Sequence, residues 1–363
     1  MAYCHLSRSY NFYLLYRIQE KRGNLLTVVQ EYFTNFNKTQ FTTELIAWFL
    51  REQRDLPWRR TKNPYHIWIS EIMLQQTRVD TVIPYYERFT KRFPTPHDLA
   101  EADQSEVLKH WEGLGYYSRV KNLQIAVQEV VEKYDGIVPD EKELFSQLKG
   151  VGPYTTGAVL SIAYGQAEPA VDGNVMRVLS RVLGIYEDIA APKTRKLFEA
   201  AVHQLIDPAD PSSFNQGLME LGAMVCTPKS PMCGLCPVQD VCFAYDRNAQ
   251  EELPVKTKKG KTQIIPYDAL VYEADGKIAI EQRAETGLLA GMWQYPLREA
   301  EEARDGTLIG HVRHIFSHRI WEIAVYRVTE QPDQTILVDQ ETYATHPVSV
   351  AQMKIDRLLK GEI

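Results

Sequence analysis

Cysteine is scarce in this chain, with five in 363 residues. That is too few to staple a small secreted domain through several disulfides. No apolar run approaches the roughly 18 residues that a membrane-spanning helix needs. An excess of basic residues is also missing, because the formal net charge is −6. A chain coated in lysine and arginine is excluded, while a local basic face on an acidic body is not. No repeat of fixed period is present. The first acidic residue is Glu20, and the segment before it lacks the uninterrupted apolar stretch of a signal peptide. What remains is ordinary for a soluble globular protein: 44% hydrophobic and 24% charged residues. The length implies roughly two domains.

Four of the five cysteines crowd into seventeen residues. Cys226, Cys233, Cys236 and Cys242 are spaced C-x6-C-x2-C-x5-C. Thiols this dense, without a secretion signal, read as metal ligands rather than disulfides. Zinc sites usually show two C-x2-C pairs or a Cys/His set, and no histidine lies inside this run. Four thiolates at mixed spacing suit a [4Fe–4S] cluster, with one sulfur per iron. Structural zinc and unliganded cysteines are the alternatives. A cluster implies a reducing compartment.

Along the chain the pattern is helical from Phe41 to about Tyr245. Apolar residues recur at three- and four-residue spacing in 44–50, 65–74, 120–131, 154–163 and 174–183. Gly/Pro breaks separate them, as at Phe93-Pro94-Thr95-Pro96. A polar linker is expected over 246–263. Its lysines suit either DNA phosphates or plain solvation. Beyond it the periodicity moves toward two. Strands are expected at 267–272, 277–282 and 319–328, with Asp275-Gly276 as a hairpin turn between the first two. A helix is expected near 349–360. Residues 1–37 read as an extension of unknown role, either a transit peptide or a variable start, and stay outside the fold argument.

Leu148-Lys149-Gly150-Val151-Gly152-Pro153-Tyr154-Thr155 joins two helical stretches. Its glycines permit a tight turn that leaves amides uncovered at a helix start, an anion site suited to a DNA phosphate. Glu71 is the one ionisable group in the apolar stretch 67–76. Burial raises a carboxyl pKa, as a general acid requires. The alternative is a narrow polar stripe facing solvent. Asp172 precedes the helical run 175–183. An N-cap is the plain reading, and a helix N-terminus also favours the ionised form. One protonated and one ionised carboxyl is the pair used to break glycosidic bonds through an oxocarbenium-like transition state.

These motifs together resemble the endonuclease III superfamily of helix-hairpin-helix DNA glycosylases, and within it the adenine DNA glycosylases. The resemblance covers about Phe41 to the C-terminus. It rests on Leu56-Pro57-Trp58-Arg59, Ser70-Glu71-Ile72-Met73-Leu74-Gln75-Gln76-Thr77, Gly113-Leu114-Gly115-Tyr116-Tyr117, the hairpin, Val171-Asp172-Gly173-Asn174-Val175 and the four cysteines. The resemblance implies a mainly α fold, a six-helix barrel beside an iron–sulfur cluster domain, with a C-terminal α+β Nudix-like domain. The barrel is expected over about 58–168 and the cluster domain over 38–57 plus 169–245, together a catalytic domain of 38–245. The Nudix-like domain follows over 264–363. The helix near 41–52 is expected to return to the cluster region, and the active site to lie in the cleft between barrel and cluster domain.

By the same resemblance, a monofunctional enzyme of base excision repair removes adenine mispaired with 8-oxoguanine or guanine. Glu71 protonates adenine N7. Asp172 stabilises the sugar cation through a transient covalent adduct, supported by Tyr154 and Asn174. Gln216, Trp58 and Arg59 line the adenine pocket; without the family, Trp58 and Tyr116 would read as core aromatics. Gln76 and Tyr116 wedge into the duplex, and Thr77, Leu114, Gly150, Val151 and Gly152 complete the DNA contacts. Tyr154 stands where bifunctional relatives carry a Schiff-base lysine. Phe316-Ser317-His318 matches the loop that contacts 8-oxoguanine, and Gly287-Leu288-Leu289-Ala290-Gly291-Met292-Trp293 matches the module's opening. Arg298-Glu299-Ala300-Glu301-Glu302 departs from the Nudix hydrolase box: position 284 is Ala rather than Gly and the glutamates are out of register. A monomer acting on double-stranded DNA in a bacterial cytoplasm, without a membrane, is expected. A glycosylase/lyase for oxidised pyrimidines, a noncatalytic iron–sulfur DNA-binding protein and a nucleotide pyrophosphatase are the other readings.

Overall fold

The computed structural model describes residues 25–257, 262–300 and 305–362. The chain divides into two compact units. One holds the described residues up to Arg54 together with Pro153–Thr257. The other holds Asp55–Gly152 and the described residues from 262 onward. The helix Pro153–Tyr164, expected in the barrel, therefore groups with the cysteine-bearing unit.

The first unit is helical. Phe41, Leu45, Trp48 and Phe49 share one face of the helix Lys38–Glu52, at i, i+4, i+7 and i+8. That face packs on the helix Pro211–Met224 through Phe214, Leu218 and Leu221. Asn37 caps the first helix and Asp210 the second, each accepting a backbone N–H with its side chain. The returning N-terminal helix is thus where the resemblance places it. Gly157 lets the helix Pro153–Tyr164 meet the extended backbone before Asp172. A Cβ at 157 would lie 1.9 Å from the Pro169 carbonyl oxygen. Asn215 fastens the same contact, donating to Ser161 Oγ at 2.9 Å and to Glu168 O at 2.8 Å, and accepting from the Ala170 amide.

Residues 25–37 belong to this core and are no mere extension. Val29 is fully buried, and the Tyr32 hydroxyl donates to the Glu187 carboxylate at 2.7 Å. Residues 1–24, including Cys4, lie outside the described residues. The expected linker also begins later than 246. Leu253 and Ala249 are buried, and Arg181 holds the carbonyls of Gln250 and Leu253 at 3.1 and 2.9 Å. The apolar side chains and the buried guanidinium's need for acceptors pin 246–257 to the unit. The lysines at 258, 259 and 261 fall outside the described residues.

The second unit combines a helical body with an α/β module. The body comprises Pro64–Leu74, Val79–Arg92, Pro96–Glu101, Gln104–Trp111, Ser118–Tyr134 and the short Lys142–Phe145. Edge-to-face pairs Trp68–Phe145 and Phe89–Trp111 knit its core. In the module, β1 (Gln263–Val271) is flanked by β5 (Leu297–Glu299) and by β7 (Arg319–Arg327), which pairs with β6 (Thr307–Ile315). β1 and β7 run parallel. A second sheet pairs β3 (Lys277–Gln282) with β2 (Glu273–Ala274), β4 (Trp293–Gln294) and β8 (Ile336–Val338). The Asp275-Gly276 turn forms, both residues at positive φ, but it joins β2 to β3 rather than β1 to β3. β1 belongs to the other sheet, and its last four residues are all buried, as a covered central strand requires. The helix Val350–Leu359, capped by Ser349, packs on β6.

Candidate active site and cluster centre

Glu71 lies on the helix Pro64–Leu74, where every residue from Tyr65 to Met73 except His66 is buried. Glu71 itself is 5% exposed. The alternative, a polar stripe that turns Glu71 to solvent, does not hold. Trp58 is buried in a short 3-10 turn and meets Tyr86 edge-on at 5.5 Å; Arg59 beside it is half-buried. Gln76 is exposed, in the turn that ends the Glu71 helix, at φ 59°. Tyr116 is also exposed, at φ 50°. One residue missed from sequence ties the two turns together. Arg119 donates to the carbonyls of Ile72 and Met73 at 2.8 and 2.9 Å, to Gly115 O at 3.1 Å and to Thr77 Oγ1 at 3.3 Å. Its guanidinium thereby satisfies carbonyls that a helix end leaves unpaired. Leu114 is buried nearby in sequence, in the loop that carries Tyr116.

The hairpin turn forms as expected. Gly150 is at φ 78°, and the Val151 amide donates to Leu148 O at 3.1 Å. A side chain at 150 would strike Asn122, while Gly152 is open to its surroundings.

In the first unit, Asp172 caps the helix Gly173–Leu183. Its Oδ1 accepts the Val175 amide at 2.7 Å and its Oδ2 accepts Asn174 Nδ2 at 3.0 Å. Burial pushes the carboxyl above the usual carboxylate range, against the pull of these donors and of Arg177. Asn174 is in turn held by Arg177, whose Nη2 donates to Asn174 Oδ1 at 2.8 Å and to Gly222 O at 2.7 Å. Tyr154 donates to Met219 Sδ at 3.3 Å. Gln216 donates to Ser212 Oγ at 3.1 Å on its own helix.

Cys226, Cys233, Cys236 and Cys242 line one cavity together with Arg181, Val178 and Leu221. Among the described residues, no group of three or more His, Cys, Asp or Glu side chains is disposed to hold a single metal ion. Four cysteines lining one cavity suit a cluster that takes one thiolate per iron. Burial above all, with the neighbouring cysteines adding, pushes the Cys236 thiol up to about 12 and the Cys242 thiol up to about 11. Thiolates there need positive charge at hand. Arg181 supplies some, its Nη1 lying 3.3 Å from Cys226 Sγ, and Arg177 Nε donates to Cys226 O at 2.8 Å. Both arginines fall within the apolar-periodic run 174–183. Their i, i+4 spacing after Asp172 was the available signal.

Comparison with known proteins agrees with this geometry. Residues 69–204 match the HhH-GPD superfamily base excision DNA repair proteins, 226–242 the iron–sulfur binding domain of endonuclease III, and 268–357 the NUDIX domain. The adenine DNA glycosylase of Homo sapiens is 35% identical over 407 residues, covering 89% of this chain and 74% of that protein. The adenine DNA glycosylase of Schizosaccharomyces pombe is 34% identical, covering 74% and 71%. The chain belongs to the adenine DNA glycosylases. A thermostable thymine-DNA glycosylase structure, 30% identical, aligns over 58% of this chain and 97% of its own with a TM-score of 0.54. A trapped endonuclease III–DNA intermediate, 24% identical with a TM-score of 0.50, shares the fold over 58% of the chain.

The iron–sulfur domain match makes the cysteine cavity of this glycosylase a [4Fe–4S] site. Cys226, Cys233, Cys236 and Cys242 would hold the cluster, which would tie residues 226–242 together. In the C-terminal module, Phe316 packs edge-on against Trp321 at 4.7 Å, while Ser317 and His318 are exposed. Glu281 is engaged by Arg298 at 2.9 Å and by Gln294 at 2.9 Å. Glu301 and Glu302 lie outside the described residues. No helix among the described residues is long and apolar enough to cross a membrane.

Proposed function

We propose that this chain is a monofunctional glycosylase that excises adenine paired with 8-oxoguanine, or with guanine, in duplex DNA. One observation carries the reading: Glu71 is buried in an apolar helix, and the half-buried Asp172 has its carboxylate held by the Val175 amide and by Asn174. Glu71 is then the acid that protonates adenine N7, and the C1′–N9 bond breaks as neutral adenine leaves. Asp172 meets the developing sugar cation, and water adds to C1′. Asn174 and Tyr154 steady that step. Trp58, Arg59 and Gln216 receive the extruded base.

The exposed Gln76 and Tyr116, each on a turn held by Arg119, suit wedges that fill the space the nucleotide vacates. Thr77, Leu114 and the hairpin Gly150-Val151-Gly152 complete the grip, the hairpin amides meeting a phosphate. Phe316-Ser317-His318 faces the base opposite. Tyr154 cannot form a Schiff base, so strand nicking is not part of the reaction. The enzyme acts as a monomer.

Single-turnover cleavage of a duplex with one A·8-oxoguanine pair, developed with alkali, tests the reading. A·G, A·T and thymine-glycol duplexes run alongside. Alkali-dependent cleavage at A·8-oxoguanine, with weaker cleavage at A·G, is expected. Cleavage at thymine glycol, or a robust borohydride-trapped adduct, would favour an oxidised-pyrimidine lyase instead. Release of pyrophosphate from 8-oxo-dGTP would favour a nucleotide pyrophosphatase.

A further inference from the structure

Residues 112–117 link the helices Gln104–Trp111 and Ser118–Tyr134, and the C-terminal module meets this short segment twice. At one end, Glu112 Oε1 accepts the Val348 amide at 2.7 Å. Glu112 Oε2 pairs with Lys109 Nζ at 2.8 Å, and Lys109 Nζ donates to His346 O at 3.1 Å. The Tyr117 hydroxyl donates to Val348 O at 3.4 Å. At the other end, Tyr116 and Ser317 share a hydrogen bond of 2.8 Å between their hydroxyls.

The two contacts are mechanically joined inside the module. The His346 ring stacks on Trp293 at 4.4 Å, and the Trp293 amide donates to Pro347 O at 2.9 Å. Val348 leads into Ser349, the cap of the helix Val350–Leu359. That helix lies on β6, with Leu358 over Gly310 and Lys354 Nζ donating to Arg313 O at 2.8 Å. β6 ends at Ile315 and runs directly into Phe316-Ser317-His318. Val348 and Ser317 are thus connected through one helix and one strand.

We propose that Glu112 is a specificity-positioning residue. By seating Val348 it sets where Ser317 stands against Tyr116, and so governs the preference for 8-oxoguanine over guanine opposite the excised adenine. The inference rests on the proposed reading of Ser317 as a contact to that base. 8-Oxoguanine differs from guanine by an N7–H donor and a C8 oxygen. A hydroxyl tells them apart only while held within hydrogen-bond reach, near 2.8 Å. Glu112 touches neither DNA nor the reacting groups in this scheme, so its loss should move the preference and leave excision itself alone.

The test is Glu112→Ala in the full-length, cluster-loaded chain, with single-turnover rates on A·8-oxoguanine and A·G duplexes. The ratio of the two rates is expected to fall about tenfold, on the scale of one charge-assisted hydrogen bond. The A·G rate stays within about twofold and serves as the folding control. Glu112→Gln keeps an acceptor for the Val348 amide and should restore most of the ratio. An unchanged ratio in the alanine variant overturns the proposal. An equal fall of both rates also overturns it, because Glu112 would then only support the helical body. A wild-type chain without preference for 8-oxoguanine overturns the underlying reading, and the inference with it; that failure is recognised without any variant.

Discussion

Arg177 holds Asn174, its Nη2 donating to Asn174 Oδ1 at 2.8 Å, while Nε of the same guanidinium donates to the carbonyl of Cys226 at 2.8 Å. Asn174 in turn donates to Asp172. A path of three hydrogen bonds therefore runs from a cluster ligand to the proposed cation-stabilising carboxylate. Arg177→Gln breaks the planar fork that makes both contacts. The expected cost is about 1.5–3 kcal/mol in the step Asp172 serves, or roughly 10- to 100-fold in single-turnover rate. Iron content and cluster absorbance measured beside the rate check it. Full activity in a cluster-loaded Arg177→Gln protein would show that the path carries nothing.

In the proposed mechanism Asp172 acts as an anion and sets the acid side of the pH profile. Burial raises its carboxyl, and Val175, Asn174 and Arg177 oppose the rise. The anion is the working form, so excision should fall as pH drops through a value above the ordinary carboxylate range. Asn174→Ala removes a donor to the anion and should move this limb to higher pH. The sign for stability is the opposite of a salt-bridged aspartate. A folded-state pKa raised above the unfolded value contributes stability that is present below the unfolded value and is lost as pH rises through the folded one. Thermal melts across that window, beside pH–rate profiles of both proteins, check both statements. A limb that stays in place in Asn174→Ala would remove Asn174 from the anion's support.

Gly157 marks where backbone crowding supports the site. A Cβ there would meet the Pro169 carbonyl and the Ala170 amide, both backbone atoms that cannot swing aside. Gly157→Ala should therefore separate the helix Pro153–Tyr164 from the strand-like segment that leads into Asp172. Overpacking of this kind costs about 1–3 kcal/mol. A lowered melting temperature with reduced excision is the expected result, and wild-type behaviour in both would mean the backbone relaxes freely.

Legibility differed by element for physical reasons. The Glu71 helix and the Asp172 cap were readable because each is local: an apolar stretch with one carboxyl, and an acceptor before a helical run. The cysteine set was readable because ligand spacing survives in one dimension. Arg177, Arg181 and Arg119 were not readable as a framework, because a buried guanidinium is defined by carbonyls distant in sequence, such as Cys226 O, Leu253 O and Met73 O. The packing of Val29 and Tyr32 escaped for the same reason, since Tyr32 meets Glu187 far along the chain and Val29 joins a core built from distant helices. β1 was read as half of a hairpin with β3 because alternation says nothing of parallel pairing, and its true neighbour β7 lies some fifty residues on.

Glu71 is buried in an apolar helix, and that placement serves either an acid or a structural group. Glu71→Gln separates the two. Glutamine matches the shape and retains a hydrogen-bonding end, but it cannot give a proton to adenine N7. Loss of a general acid costs roughly 10²- to 10⁴-fold in rate. DNA affinity should persist, because phosphate contacts dominate it and Glu71 makes none in this scheme. The measurement is single-turnover excision beside equilibrium binding to the same A·8-oxoguanine duplex. Lost excision with retained binding assigns Glu71 to the chemistry. Lost binding together with a lowered melting temperature would assign it to the fold, and would leave protonation of the leaving base to another group.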